Sequence, residues 1–298
     1  MYRISRMFPL LVCITGILLP SLLQANSRPV LLTEALKKKQ VSISTRANNC
    51  WLYDNNLELS ITNRTCGELN LVVDPALIFR AADTSYQDLV IAGEEQIVLQ
   101  EGERKLLIMN AFCGKSYAHC PVGNLKYSLY KQGSPAMIGT LKLIREHKLF
   151  NSLGQHAVWS FTNNHSLSRV YDSEMPALSQ MLTRYIASAT GKPMPAFYVR
   201  HKINRSGEGR LFDASASMYY TELSWVEAGA RNVHIYVYRG DGSLYKTIRE
   251  EHISGNRHSV RVSFDPAREL HDIYTVRVVD DHNHVYAESR VDTRDEPI

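Results

Sequence analysis

Residues 153–162, LGQHAVWSFT, stand between two regions of strand-like sequence and have a different pattern from both. Leu153, Ala157 and Phe161 recur at the spacing of one helical face, so this stretch predicts a helix. Before it lie short runs in which every second residue is apolar, as in half-buried strands, and a second such region follows residue 210. The sequence therefore predicts a mainly β protein with a helical segment. We expect two β-sandwich domains, the first braced by about three helices.

Two further helices are predicted on either side of this stretch. Ser134 is the expected cap of the first, and Pro135 its first residue. The second, over residues 175–190, has Ser173 as its expected cap and Gly191 as its expected end. Its apolar residues are spaced by three and four and comprise Leu178, Met181, Leu182, Tyr185, Ile186 and Ala189. We expect this apolar face to pack on the first β domain.

The N-terminus has the composition of an export signal. Arg3 and Arg6 precede an apolar run, and cleavage after Ala25 would remove residues 1–25 as a signal peptide. This lowers the net charge from +4 to +2, because two arginines and no acidic residue are lost. A nearly neutral chain argues against nucleic acid as a partner. No later segment is long enough to span a bilayer. We therefore expect an exported protein without a transmembrane segment, in the periplasm, at the outer membrane or outside the cell.

Prolines and a polar cluster indicate where the two domains meet. Residues 192–209, KPMPAFYVRHKINRSGEG, combine two prolines with Gly, Ser and charged residues. We assign residues 26–195 to the first β-sandwich with its helices, and residues 196–209 to a linker. The second β-sandwich is expected over residues 210–292, and residues 293–298 are expected to form a tail.

Cysteine usage fits an oxidising compartment. After cleavage four cysteines remain, namely Cys50, Cys66, Cys113 and Cys120. An even number in an exported chain predicts two disulfides, and three pairings are open. The local pairing, Cys113 with Cys120 and Cys50 with Cys66, is the one we favour.

The strands of the second domain carry a resemblance to a known module. Residues 233–238 read VHIYVY, residues 240–242 read GDG, and residues 273–278 read IYTVRV after Asp272, where the module has glycine. This pattern resembles the small Ig-like domains of the flagellar hook-capping protein and of many secreted bacterial proteins, some of them from Bacteroidetes-type bacteria. The resemblance implies an Ig-like sandwich and no particular activity, because one fold serves many functions.

Two short motifs in the first domain carry a second resemblance. Residues 111–113 read AFC and residues 155–159 read QHAVW. They are similar to motifs of uncharacterised secreted bacterial proteins, and the second is also similar to the glutamine segment of bacterial thioester adhesion domains. There, a Cys thiol and a Gln carboxamide form an internal thioester that captures host amines. The resemblance implies that Cys113 and Gln155 could form such a bond. In the alternative, Trp159 fills the core and Gln155 binds backbone groups.

Catalytic motifs do not stand out in this sequence. It has no G-x-S-x-G, H-E-x-x-H or P-loop pattern, and its eleven histidines are scattered. The run DDHNH at residues 280–284 is predicted to be a hairpin turn rather than a metal site. We therefore assign no catalytic, cofactor or metal residues. The expected function is binding of a protein or glycan, or scaffolding, in the cell envelope. The alternatives are a thioester adhesin and a hydrolase whose residues meet only in space.

Overall fold

The computed structural model describes residues 28–48, 53, 56–204, 213–227, 229, 231–253, 255–269 and 271–294. The expected signal peptide, residues 1–25, lies outside these ranges, as do Cys50 and residues 295–298 of the expected tail.

The first half of the chain forms two sheets. Its strands are β1 (Val30–Leu31), β2 (Val41–Ala47), β3 (Leu57–Asn63), β4 (Leu69–Val73), β5 (Leu77–Ala81), β6 (Leu89–Ile91), β7 (Glu95–Leu99), β8 (Arg104–Met109), β9 (Ala111–Cys113) and β10 (Lys126–Gln132), with a short helix α1 (Leu32–Lys37) after β1. A seven-stranded sheet has the order β8-β3-β2-β10-β5-β6-β9, and a three-stranded sheet has the order β1-β4-β7. The two pack around a core that includes Leu59 of β3 and Leu71 of β4.

Three helices cover the opposite face of the seven-stranded sheet, at its β5-β6-β9 end. They are α2 (Pro135–Glu146), α3 (Ser152–Thr162) and α4 (Pro176–Thr190). A second core joins Ile78, Val90 and Phe112 of the sheet to Leu141, Leu153 and Leu182 of the helices. The expected fold, mainly β with a helical segment that braces the first sandwich, is confirmed. None of the helices in the described ranges combines the length and the apolar character needed to cross a membrane.

The helix boundaries follow local hydrogen bonding. The Ser134 hydroxyl accepts a hydrogen bond from the Met137 N–H at 3.2 Å, as its capping position predicts. The expected cap at Ser173 is wrong: α4 starts after Met175 and has no side-chain cap. Instead, Ser179 inside the helix accepts the Asp172 N–H at 2.8 Å and fixes the approaching chain. Gly191 ends α4 with a φ of +71°, which favours glycine.

The second half of the chain forms a second sandwich. Its strands are β11 (Tyr198–Asn204), β12 (Asp213–Val226), β13 (Arg231–Tyr238), β14 (Leu244–Ile253), β15 (Arg257–Phe264), β16 (Ile273–Asp280) and β17 (Val285–Asp292). One sheet has the order β11-β12-β15 and the other β14-β13-β16-β17. Val199, Phe264 and Tyr274 lie in the core between them.

The expected linker, residues 196–209, is only partly a connecting segment. Residues 198–204 form β11 and pair with β12 in an antiparallel register. The prolines that suggested a linker end at Pro195, and Tyr198 and Val199 after them are buried. The second sandwich therefore begins about a dozen residues earlier than the sequence indicated.

Gly154 is the closest packing point between α3 and the chain before it. A Cβ there would lie 2.1 Å from the Leu149 carbonyl oxygen and 3.1 Å from the Phe112 ring. Because backbone cannot move aside as a flexible side chain does, we expect Gly154→Ala to lower the free energy of unfolding by about 2–3 kcal/mol. Urea denaturation followed by tryptophan fluorescence measures this.

Gly67→Ala is the matched control, since a Cβ at Gly67 would meet no atom within 4 Å. Its effect should stay within about 0.5 kcal/mol. Equal stability of the two variants would contradict the close packing of α3.

Candidate functional site

The seven-stranded sheet ends at β9, which has no further neighbouring strand among the described residues. Two side-chain carboxamides bind its backbone instead. Asn56 accepts a hydrogen bond from the Ala111 N–H at 3.0 Å and donates one to the Ala111 carbonyl at 2.8 Å. Gln155 makes the same pair of bonds with Cys113, at 3.0 Å and 2.8 Å. Both side chains thereby satisfy buried peptide groups.

The segment that follows β9 is held in the same way. Asn163 accepts the Ser116 N–H at 2.9 Å and donates to the Gly114 carbonyl at 2.8 Å. Gln87 binds one N–H and one carbonyl of this segment, both at 2.8 Å. The four side chains that act in this way are called the amide clamps below: Asn56, Gln87, Gln155 and Asn163. They fix residues 111–118 against the sheet and helix α3.

The cysteines do not pair as expected. Cys113 and Cys66 are both free thiols, so the expected bridges Cys113–Cys120 and Cys50–Cys66 are wrong. Cys120 is disulfide-bonded. Cys113 and Cys120 lie in the same buried cluster, yet the Cys113 thiol is free, so closeness in sequence and in space did not decide the pairing.

The Cys113 thiol lies in a small buried cluster with Cys120 and Trp159, next to Tyr53. Burial raises the pKa of Cys113 well above its usual range, so the thiol is protonated at neutral pH. The structure thus brings together the two residues of the thioester hypothesis, Cys113 and Gln155. It also assigns the Gln155 carboxamide to two backbone hydrogen bonds, as the structural alternative predicts.

A cleft of about 470 Å³ lies between the helical layer and the second sandwich. Its lining residues are Ser152 and His156 of α3, Tyr171, Asp172 and Glu174 of the segment before α4, Arg200 and His201 of β11, and Ser217 and Met218 of β12. The cleft exists because β11 follows α4 after a short connection and runs past α3. We call it the interdomain cleft.

His156 is the most unusual residue of this cleft. Only 2% of its surface is exposed, and no residue in the described part of the chain hydrogen-bonds to either ring nitrogen. Its ring centroid is 5.1 Å from that of His201 and 5.4 Å from that of Trp159. Buried polar atoms without partners are rare in folded proteins and cost stability. Both ring nitrogens of His156 are nearly closed to solvent, although the residue lines the cleft.

The histidines around α3 are neutral at physiological pH. Burial lowers the pKa of His156 well below its usual value, and His201 and Arg169 add to the effect. Burial, with Arg169 nearby, also lowers the pKa of His201 to about 4 and that of His165 to about 4. A neutral imidazole offers one donor and one acceptor.

In other candidate sites the polar side chains named here already have partners. A larger groove of about 760 Å³ lies on the open face of the seven-stranded sheet, where Arg46 pairs with Glu58 and Arg104 Nε donates to Ser60 Oγ at 2.6 Å. Within the described ranges, no three His, Cys, Asp or Glu side chains converge in a way that could hold a metal ion. The run at residues 280–284 is a turn in which Asp280 accepts two backbone N–H groups.

Sequence reasoning missed the interdomain cleft. His156 lies inside the QHAVW motif, but the thioester resemblance of that motif concerns only Gln155. His201 lies in the segment expected to be a linker. The available signal was the spacing of His156 and Trp159. Residues three apart lie on the same side of a helix, so His156 shares the buried side with Trp159.

The pKa shifts predict how stability depends on pH. Unfolded histidines bind protons near pH 6.5, whereas His165 and His201 bind them only near pH 4 when folded. Between these values the unfolded chain binds more protons, so the free energy of unfolding should fall as the pH drops from about 6.5 to 4. We expect His201→Phe to reduce this fall by about 1 kcal/mol, less than the full shift implies, because the cleft is open to solvent.

Urea denaturation at several pH values measures the effect, with His258→Phe as control because His258 stacks on Trp225 and does not line the cleft. Equal slopes for His201→Phe and wild type would show that His201 titrates normally in the folded protein.

Comparison with protein-family models, curated proteins and solved structures found no match for this chain. The resemblances to Ig-like modules and thioester domains therefore remain expectations from short motifs. What the protein does is inferred from the geometry of the cleft and of the amide clamps.

Proposed function

We propose that this chain is an exported, non-enzymatic binding or scaffolding protein of the cell envelope, with a protein or a glycan as its ligand. The interdomain cleft is the observation that carries the proposal. Its volume falls within the range of small-ligand sites, and polar side chains from α3, the segment before α4, β11 and β12 line it.

The architecture is compatible with a passive binding role. Two packed sandwiches and a helical layer make a rigid frame, and rigid frames hold binding groups in place at low entropic cost. The hydrolase alternative needs a histidine and a carboxylate in contact within a pocket. A contact of this kind, His234 Nε2 to Asp281 Oδ1 at 2.7 Å, lies on the surface of the second sandwich instead.

Blocking the cleft should remove binding. Ser217 lines it, so Ser217→Trp would fill part of its volume. We expect wild-type protein to sediment with the envelope fraction of the bacterium that produces it, and Ser217→Trp to be retained roughly tenfold less. The control is Ser128→Trp, on an exposed position of β10. No sedimentation of the wild type, or equal retention of Ser217→Trp, would contradict the proposal.

An internal thioester between Cys113 and Gln155 is the second candidate. The free thiol and the bonds from Gln155 to the Cys113 backbone favour it, because they hold the carboxamide carbon next to the residue that carries the sulfur. In this step Cys113 Sγ attacks Gln155 Cδ, the C–N bond breaks, and ammonia leaves with the thiol proton. It ranks second for two reasons. The raised pKa of Cys113 opposes attack by the thiolate, and Asn56 makes the same bonds to Ala111, which has no thiol.

Intact mass spectrometry tests this second candidate. A thioester makes the chain lighter by one ammonia, and methylamine opens it and adds its own mass once. Cys113→Ala and Gln155→Ala should keep the full mass and take up no methylamine, whereas Cys66→Ala should behave like wild type because Cys66 is exposed and distant. A full wild-type mass that methylamine leaves unchanged would exclude the thioester.

A further inference from the structure

Only two aromatic side chains are exposed in the described part of the chain, and both line the same pocket. Tyr117 is 72% exposed and Tyr130 is 48% exposed, whereas every other described Phe, Tyr or Trp side chain is buried or half-buried. The pocket, of about 390 Å³, lies on the open face of the seven-stranded sheet, next to the start of α2 and the end of α3. Exposed apolar groups that gather at one depression indicate a binding surface. We call it the tyrosine pocket, and its lining includes Arg80 of β5, Tyr117 after β9, Tyr130 and Lys131 of β10, Ser134 before α2 and Thr162 of α3.

A β-bulge in β10 brings two consecutive side chains to this pocket. The pairing of β10 with β5 shifts between Leu129 and Lys131, so Tyr130 is an extra residue in the ladder. In a regular strand, the neighbours Tyr130 and Lys131 would point to opposite faces of the sheet. Here both line the pocket, because a bulge redirects the side chains that follow it.

The backbone on both sides of Tyr117 is fixed by the amide clamps. Gln87 binds peptide groups of Lys115 and Ala118, each at 2.8 Å. Asn163 accepts the N–H of the residue directly before Tyr117 at 2.9 Å. An exposed ring on a fixed backbone can contact a ligand without the ordering of a loop, which lowers the entropic cost of binding.

The tyrosine pocket carries an excess of positive charge. Arg80 Cζ lies 3.5 Å from the centroid of the Tyr130 ring, and Lys131 Nζ lies 5.3 Å from the same centroid. The carboxylate that lines the pocket, Asp88, is 4.0 Å from Arg80 and is already paired with Lys115 at 3.0 Å. Within the described part of the chain, the side chains of Arg80 and Lys131 donate no hydrogen bond. Their donors are therefore available to an anion.

These groups match a sugar that carries an anionic group. A guanidinium group binds two oxygens of a carboxylate or phosphate in one plane, and Lys131 adds a second cation. The exposed tyrosine rings offer flat apolar faces to the C–H groups of a sugar ring. A volume of about 390 Å³ has room for one or two such rings. An extended peptide fits less well, because β5 and β10 are paired on both sides and offer it no free strand edge.

We propose that the tyrosine pocket binds an anionic saccharide. Arg80 and Lys131 contact its carboxylate or phosphate group, and Tyr117 and Tyr130 contact its sugar ring. The site is separate from the interdomain cleft, since no residue lines both. The inference therefore does not depend on the function proposed for the cleft, and it gives the protein a second binding surface.

Tyrosine-ring NMR signals of the full-length protein test the proposal. The anionic saccharides are digalacturonate and glucose-6-phosphate, each added up to about 10 mM, since a small exposed site binds in the millimolar range. Maltose, acetate, inorganic phosphate and tetraglutamate are the comparison probes. We expect at least one anionic saccharide to shift the ring signals of Tyr117 and Tyr130 and to bind about fivefold or more tightly than every comparison probe. The signals of Tyr238 should stay unchanged, although its ring lies 5.3 Å from Arg277 in the second sandwich.

Equal affinity for a comparison probe would overturn the proposal. Maltose binding as tightly would mean that the charges play no part. Acetate or phosphate binding as tightly would mean an adventitious ion only, and tetraglutamate binding as tightly would mean a peptide site. No shift with either anionic saccharide, or equal shifts of the Tyr238 signals, would exclude a specific site.

Two lysines of β10 provide a matched pair of variants. Lys131→Gln removes a charge from the pocket, whereas Lys126→Gln removes one from an exposed position of the same strand that does not line it. We expect Lys131→Gln to weaken binding of the anionic saccharide about fivefold or more, and Lys126→Gln to change it less than about twofold. Tyr117→Ala should weaken it as much as Lys131→Gln and melt like wild type, because the ring is exposed. Wild-type affinity of Lys131→Gln or of Tyr117→Ala would contradict the proposal.

Ser217→Trp separates the two sites. It fills part of the interdomain cleft and should bind the anionic saccharide as wild type does, whether or not it loses envelope binding. Loss of saccharide binding in this variant would place the saccharide in the cleft and overturn the proposal.

Discussion

The open edge of β9 is the constraint on which the first domain depends. A strand at the margin of a sheet exposes peptide groups that must find partners when they are buried. Here Asn56 and Gln155 supply them, and Asn163 and Gln87 continue the pattern into the following segment. Because Gln155 and Asn163 belong to α3 and its end, the same bonds that close the sheet also fix the position of the helix.

Helix α3 connects the sheet to the second sandwich through adjacent residues. Successive helical side chains point about 100° apart, so Gln155 faces β9 while His156 faces β11. Trp159 lies between the two, in contact with the thiol cluster on one side and with the His156 ring on the other. The position of the cleft histidine is therefore set by bonds made on the other side of the helix. This coupling places a polar ring in a buried position where no described residue hydrogen-bonds to it.

Periodicity was enough to predict the elements that bury one regular face. It predicted the alternating strands and the helices α2, α3 and α4, because the spacing of apolar residues along each element depends only on local backbone geometry. The cysteine pairing, the true extent of β11 and the amide clamps did not follow from the sequence. Each depends on which segments meet in space, and a glutamine that binds a strand 42 residues away looks like any other glutamine in a helix. His201 was missed for a related reason, since polar neighbours made a strand resemble a linker.

The long separation between the amide clamps and β9 has a consequence for how the chain acquires its structure. Gln155 and Asn163 lie more than 40 residues after the peptide groups they bind. A nascent chain that has emerged only as far as β10 carries every described strand of the first sandwich. Its edge strand β9, however, still lacks the bonds from Gln155 to Cys113 and is open to pairing with other chains. The helical segment is therefore not an addition to a finished sandwich. It belongs to the same cooperative unit, and truncation before residue 163 would leave an aggregation-prone fragment rather than a smaller domain.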